Sequence, residues 1–199
     1  FQYVIGDVNL NTENATQIDL TYEYKHEHLS LILNPFYNQI NNFIYLQRQD
    51  SVIDSYPVYK YVQNDAVNMY GLDFGVHYHP HSAHRLHLES SFSYIRAIDA
   101  NGFYIDQIPP ARWQSKIKFE FDEKEKFFIK NIILQNNLIF AQNEVAQNES
   151  ASKTYNIINV GVNAVVNTKK SQIQLNAGVK NALNTTFIDS RNNVWIGTH

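Results

Sequence analysis

Cysteine is absent from this chain of 199 residues, so no disulfide framework can staple it. CxxC and HExxH spacings are missing too, which removes the usual zinc-binding signatures. No stretch approaches the roughly 20 consecutive apolar residues that an α-helix needs to cross a bilayer. Charge is nearly balanced, with 16 Lys and Arg against 19 Asp and Glu; without a basic stripe, nucleic acid is excluded as a partner. No linker, low-complexity tract or internal repeat interrupts the chain, which reads as one continuous β-domain. It opens on Phe1 rather than on an initiator Met or a secretion signal, as a mature or excised piece would.

What the chain does have is aromatic residues, 13 Tyr and 12 Phe, set into segments that alternate with a period of two. That period marks a strand with unlike faces. Ile18, Leu20, Tyr22 and Tyr24 oppose Gln17, Asp19, Thr21 and Glu23. Tyr70, Leu72, Phe74, Val76 and Tyr78 oppose Gly71, Asp73, Gly75 and His77, and Leu86, Leu88, Phe92 and Tyr94 oppose His87, Glu89, Ser91 and Ser93. Trp113, Ile117, Phe119 and Phe121 oppose Gln114, Lys116, Lys118 and Glu120; Ile173, Leu175, Ala177 and Val179 oppose Gln172, Gln174, Asn176 and Lys180. Two segments are weaker: 29–34 breaks phase at Ile32, and 127–141 is apolar on both faces in places.

The connections between these segments are two-sided. Short, charged or histidine-rich turns at 26–28, 79–84, 122–126 and 167–170 alternate with long stretches at 46–57, 97–111 and 142–153, well above the usual hairpin length of about 2 to 5 residues. A transmembrane β-barrel has this asymmetry, with short periplasmic turns at one rim and long extracellular loops at the other. A strand of about 10 residues, tilted about 45°, covers roughly 24 Å of height, which matches the apolar band of such a barrel. Tyr24, Tyr78, Phe121 and Phe127 stand beside the short turns, and Tyr45, Tyr94 and Trp113 beside the long ones, as two interfacial girdles would. A soluble β-sandwich binding module for carbohydrate or protein also alternates and also uses aromatics; solubility without detergent separates the two readings. An outer-membrane enzyme barrel is a third reading, but no Ser or Asp/His constellation supports catalysis.

Candidate binding residues lie in the long stretches. Loops on a rigid scaffold are where binding residues concentrate, and Arg48, Gln49, Tyr56, Tyr59, Phe103 and Tyr104 offer adaptable aromatic and hydrogen-bonding contacts. Imidazole suits zinc and copper, and His77 and His87 would face one side from neighbouring strands; they are weak metal candidates against the ordinary account of solvent-facing histidines, and His79, His81 and His84 sit in the turn. Asp19, Glu23, Asp73, Glu89, Lys116, Lys118 and Glu120 alternate inward as a polar wall rather than as a catalytic carboxylate pair. No cofactor is expected.

Five stretches carry a family resemblance. Gly6-Asp7-Val8-Asn9-Leu10-Asn11-Thr12-Glu13 resembles the G-N-x-x-L-x-x-E loop of TonB-dependent outer-membrane receptors. Asn34-Pro35-Phe36-Tyr37 and the residues after it resemble that family's next strand and loop, and Asn64 to Asp73 its N-x-x-x-x-x-G-x-E strand, with Asp73 in place of the usual Glu. Ile108-Pro109-Pro110-Ala111-Arg112 resembles a proline-led strand entry, and Asn181-Ala182-Leu183-Asn184 the N-L-x-N/D element before the last strand. What the resemblance implies is an all-β, antiparallel transmembrane barrel portion, about eight strands of a plugged barrel of roughly 22. It also implies uptake of a scarce nutrient such as an iron chelate, haem, a metal ion, cobalamin or an oligosaccharide. The implied setting is the outer membrane of a Gram-negative bacterium, and the implied partners are outer-membrane lipid, the rest of the receptor with its plug domain, and the TonB complex. The plug has no counterpart in this sequence. After Asn184 the family continues into one last strand, and no run of about 10 alternating residues follows here. The chain is therefore expected to be a partial barrel, completed by other segments and prone to edge-to-edge pairing alone.

Overall fold

The computed structural model describes residues 1–147, 149–188 and 194–195. The strands are β1 (Tyr3–Ile5), β2 (Asn14–Asp19), β3 (Tyr22–His26), β4 (Leu29–Ile53), β5 (Tyr56–Tyr78), β6 (Leu86–Asp99), β7 (Arg112–Glu120), β8 (Phe127–Ile139), β9 (Tyr155–Asn167) and β10 (Gln172–Val179), followed by a separate pair, β11 (Phe187–Ile188) and β12 (Val194–Trp195). A single 3₁₀ turn, His81–Ala83, is the one helical element among the described residues. From β4 to β10 every strand pairs antiparallel with its sequence neighbour, and β1 adds a short parallel pairing to β5. The described strands form an open sheet with β10 at one edge.

β2 and β3 are one crossing interrupted by a proline. Asp19 pairs with Phe36 and Tyr22 with Leu33, so the register is unchanged across the gap. The Leu20 N–H donates to the Pro35 carbonyl at 3.1 Å, but Pro35 has no N–H to return. Pro35 therefore removes one ladder bond without shifting the strand. Counted this way, eight crossings stand side by side, as the alternating segments imply.

Register decides which side chains share a face, because residues directly opposite one another point the same way. One transverse row reads Ser30, His77, Glu89, Lys116, Gln135 and Asn159. The next row on the other face reads Leu29, Tyr78, Leu88, Ile117, Leu134 and Val160. Polar and apolar rows thus separate across six strands. A groove of about 530 Å³ lies on the polar side, bounded by His77, Glu89, Ser91, Gln114, Lys116 and Gln135, so that side is concave. Ile18, Leu72, Phe74, Phe119 and Val162 belong to the convex, apolar side.

The aromatic residues on that convex side give the strand tilt. Tyr70 is level with Tyr37, Tyr94 is level with Leu72, and Trp113 is level with Phe74 through Phe92. From β5 to β7 each strand step therefore lowers the aromatic position by two residues, roughly 7 Å along the strand for roughly 5 Å across it. That offset corresponds to a tilt of about 50°, close to the inclination of strands in membrane barrels.

Several local expectations are corrected. The stretch 46–57 is not a loop: β4 and β5 run on as a two-stranded ribbon closed by Asp54 and Ser55, with φ of 51° and 68°. Positive φ at both central residues is the signature of a tight type I′ hairpin. Tyr45 is not a girdle residue either. Asn42, with φ of 57°, reverses the alternation, so that Phe43 packs on the concave side beside Val67, and Tyr45 lines a cavity there. Ile32, which broke phase in the sequence, fills the space over Gly75 on the polar side. The two-faced apolar character of 127–141 reflects a bulge between Ile129 and Asn131, which shifts the phase and places Phe128 in a buried position. The region expected to lack a closing strand falls largely on 189–193 and 196–199, outside the described residues.

Gly71 is required by close approach. A Cβ there would sit 2.3 Å from the Tyr94 carbonyl oxygen and 2.5 Å from the Phe36 ring. Gly75 would meet only the end of Ile32, at 3.0 Å. Gly71→Ala should therefore cost about 1–3 kcal/mol and Gly75→Ala less, read as midpoints of urea unfolding in lipid vesicles. In the same assay Phe74→Arg, on the convex face, should cost about 2–4 kcal/mol.

Candidate substrate-binding site

The long connections do not extend freely outward; one of them folds back over the concave side. Asp99 ends β6, and its carboxylate accepts the N–H groups of Asn101 and Phe103, each at 2.9 Å, which turns the chain sharply. Gly102, with φ of 85°, completes the turn. Ile105 and Ile108 then pack against Val67, Ala97, Phe43 and Met69, a small buried cluster on the concave side. Burying these apolar groups holds loop 97–111 across the sheet.

Loop 142–153 is tied to it at two points and to the end of β6 at a third. The Gln107 N–H donates to the Glu149 carboxylate at 2.8 Å, and the Gln142 amide donates to the Ile108 carbonyl at 3.0 Å. Arg96, only 13% exposed, pairs with Glu144 at 3.2 Å and lies 5.7 and 5.8 Å from the ring centres of Tyr94 and Tyr104. A guanidinium can serve an acid and two aromatic faces at once because it is planar and always charged. None of Gln142, Glu144 or Glu149 was singled out by sequence; polar residues in an Asn-rich loop carry no periodic signal.

Under these loops lies a cavity of about 200 Å³, bounded by Tyr45, Gln47 and Asn64 from the ribbon, Asp99, Phe103, Tyr104, Ile105 and Asp106 from one loop, and Ala146 and Gln147 from the other. Its chemistry is acidic and aromatic. Burial pushes the Asp106 carboxyl above the ordinary carboxylate range. Burial, reinforced by Asp106 and Asp99, pushes the Tyr45 phenol up, and the Tyr104 phenol is raised by burial and then by Glu144. Such a site favours a cation or a ligand presenting positive charge to two carboxylates, with aromatic faces for the remainder.

The six sequence-predicted contact residues divide. Phe103 and Tyr104 line the cavity. Arg48 and Tyr59 are paired across the ribbon, Gln49 lies in its irregular stretch, and Tyr56 is at the tip, where its ring meets those of Phe1 at 5.9 Å and Tyr3 at 6.5 Å. His77 and His87 do come together, but as stacked rings 5.7 Å apart and inclined by 13°. Nitrogen lone pairs lie in the ring planes, so parallel rings aim them side by side rather than at one ion.

The family model described as TonB dependent receptor-like, beta-barrel matches residues 1–182. The chain belongs to the TonB-dependent receptor β-barrel family. Among solved structures, the copper transporter OprC is similar with a TM-score of 0.77 and 14% identity, over 94% of this chain and 29% of that one. The FrpB iron transporter from Neisseria meningitidis gives 0.67 and 12%, over 98% and 31%, and the ferric enterobactin receptor PfeA from Pseudomonas aeruginosa 0.69 and 14%, over 98% and 31%. The chain spans about a third of the length of these structures. No curated protein sequence matches it.

In this receptor barrel the motif residues have structural work. Glu13 accepts the Ile44 N–H at 2.7 Å, the Gln63 amide bridges the Asn11 and Asn42 carbonyls at 2.8 Å, and Asp7 pairs with Lys60 at 3.4 Å. The loop 6–13 is thus bound to the ribbon where Asn42 reverses it. The Asn9 N–H, followed by Lys60, holds the Asp7 carboxyl below its ordinary range.

Asp106 supplies a sign-checked prediction. A carboxyl raised by burial favours the folded state when protonated, so its contribution is full below the unfolded pKa and is lost as pH rises through the folded one. Asp106→Asn should therefore slow amide exchange in loop 97–111 at pH 7 and make little difference at pH 4, read by hydrogen–deuterium exchange.

Proposed function

We propose that this chain is the C-terminal part of the barrel of an outer-membrane uptake receptor in a Gram-negative bacterium, with no catalytic activity of its own. The observation that carries the reading is the coupling of a two-faced sheet to loops folded over its concave side. The convex face, rich in Leu, Ile, Val and aromatics, faces lipid, and the polar rows face the lumen. Unpaired backbone in hydrocarbon costs several kcal/mol per group, so the open edges pair with the preceding strands and the final strand of a barrel of roughly 22. The polar wall, including the Glu89–Lys116 pair at 2.9 Å, contacts the plug domain. Energy comes from the TonB complex acting on that plug.

The substrate enters from the side of the long loops. Arg48, Gln49, Tyr56 and Tyr59 on the projecting ribbon make early contacts, and Phe103 and Tyr104 hold it at the cavity beside Asp99 and Asp106. The acids favour a metal ion or a chelate with exposed positive charge over an anionic one. The iron and copper neighbours fit this class of cargo.

The test is uptake by cells carrying the full-length receptor, supplied with labelled ferric chelates, haem, cobalamin and copper salts, in TonB-positive and TonB-negative backgrounds. One cargo should accumulate only with TonB, and Asp99→Asn with Asp106→Asn should lower its uptake at least about tenfold. TonB-independent accumulation, or recovery of the protein in the soluble fraction without detergent, would sink the proposal.

A further inference from the structure

All histidines except His199 lie at the end of the barrel wall that carries the short turns. The β3–β4 turn brings His26 and His28, and the β5–β6 connection brings His79, His81 and His84. Pairing of Leu29 with Tyr78 sets these turns side by side, and the His79 N–H donates to the His28 carbonyl at 2.8 Å. The backbones that present the imidazoles are therefore joined.

The structure assigns a transition-metal site to His28 and His81, completed by Glu27. The His28 Nε2 and the His81 Nδ1 face each other at 3.1 Å, with ring centres 5.0 Å apart. Ligands at zinc–nitrogen bond lengths around a tetrahedral ion stand roughly 3.3 Å apart, so the pair is nearly at ligand spacing. The Glu27 Oε2 lies 3.9 Å from the same His28 nitrogen and can close on an ion by a side-chain rotation. Beside them lies an open space of about 280 Å³ bounded by Lys25, His26, Glu27, His28, His77 and His79, which leaves the Glu27 and His28 side chains accessible to an ion and its water.

Among the described residues no three side chains already surround one point as metal ligands, so this is a preset pair that gains its third ligand on binding. Two imidazoles and a carboxylate are the donor set for Zn²⁺, Cu²⁺ or Ni²⁺ rather than for Mg²⁺ or Ca²⁺. His79 is held differently: its Nε2 contacts the His84 carbonyl, and its ring stacks on His87 at 4.5 Å. The stacked group of His77, His79 and His87 forms the wall beside the site rather than the site itself. Placement at the periplasmic mouth rests on the receptor reading; the ligand geometry does not.

The experiment uses the full-length receptor in detergent, titrated with Zn²⁺ by calorimetry and with Cu²⁺ by electron paramagnetic resonance. Relative to the unmodified protein, His28→Gln and His81→Gln should each remove one Zn²⁺ equivalent or weaken it at least about tenfold. His87→Gln should leave it unchanged. Bound Cu²⁺ should show nitrogen hyperfine splitting that simplifies in either variant, with heat-modifiable gel mobility confirming a folded barrel. If His28→Gln and His81→Gln both keep the full equivalent, or the unmodified protein takes up none, the 3.1 Å contact is an ordinary hydrogen bond and the site does not exist. Either result is independent of whether uptake requires TonB, so the metal site and the receptor reading can fail separately.

Discussion

Cross-strand register is the constraint on which the rest of the structure depends. Each strand from β4 to β10 hydrogen-bonds to its sequence neighbour, and these bonds fix which residues stand opposite one another. A slip of one position would exchange the two faces of a strand. Instead Lys116 meets Glu89 and Ile117 meets Leu88, so a polar row and an apolar row run next to each other across the sheet. The apolar convex surface, the polar wall and the tilt of the aromatic positions all follow from that one alignment.

The departures from regular pairing have different consequences. Pro35 removes one donor without moving the strand, because pairing on both sides of it keeps the same register. Asn42 takes a left-handed conformation, and beyond it Tyr45 turns from the outer surface to the cavity. Gly71 lets the Phe36 ring lie against the backbone on the concave side.

The loop region depends on a different balance. Ile105 and Ile108 give loop 97–111 an apolar reason to fold inward, while Arg96, Gln142 and Glu149 tie it to loop 142–153 through polar contacts. Folding inward partly buries Asp106 and Tyr45 and thereby perturbs both. The cavity and its acidity are thus two consequences of the same packing. The unlike faces of the wall and the acidic cap together are the features on which the proposed uptake role rests.

The sequence by itself determined the fold class, the number of crossings and the identity of the residues that share the apolar, convex face. Alternation is a local property, and a period of two survives without knowledge of any partner strand; that is why Ile18, Leu72, Phe74 and Ile117 were legible. The resemblance of 6–13 to a receptor loop was legible for a related reason, since its Asp7 and Glu13 stand at fixed spacing. Tertiary structure decided the rest. That 46–57 is a ribbon depended on two positive φ values at Asp54 and Ser55, which neither residue type requires. Phe103 and Tyr104 reach a cavity while Tyr56 stays at a hairpin tip because long-range packing, not composition, bends one loop inward and leaves the other extended. His28 and His81 meet although 53 positions separate them, because two turns adjoin only once β4 and β5 have paired.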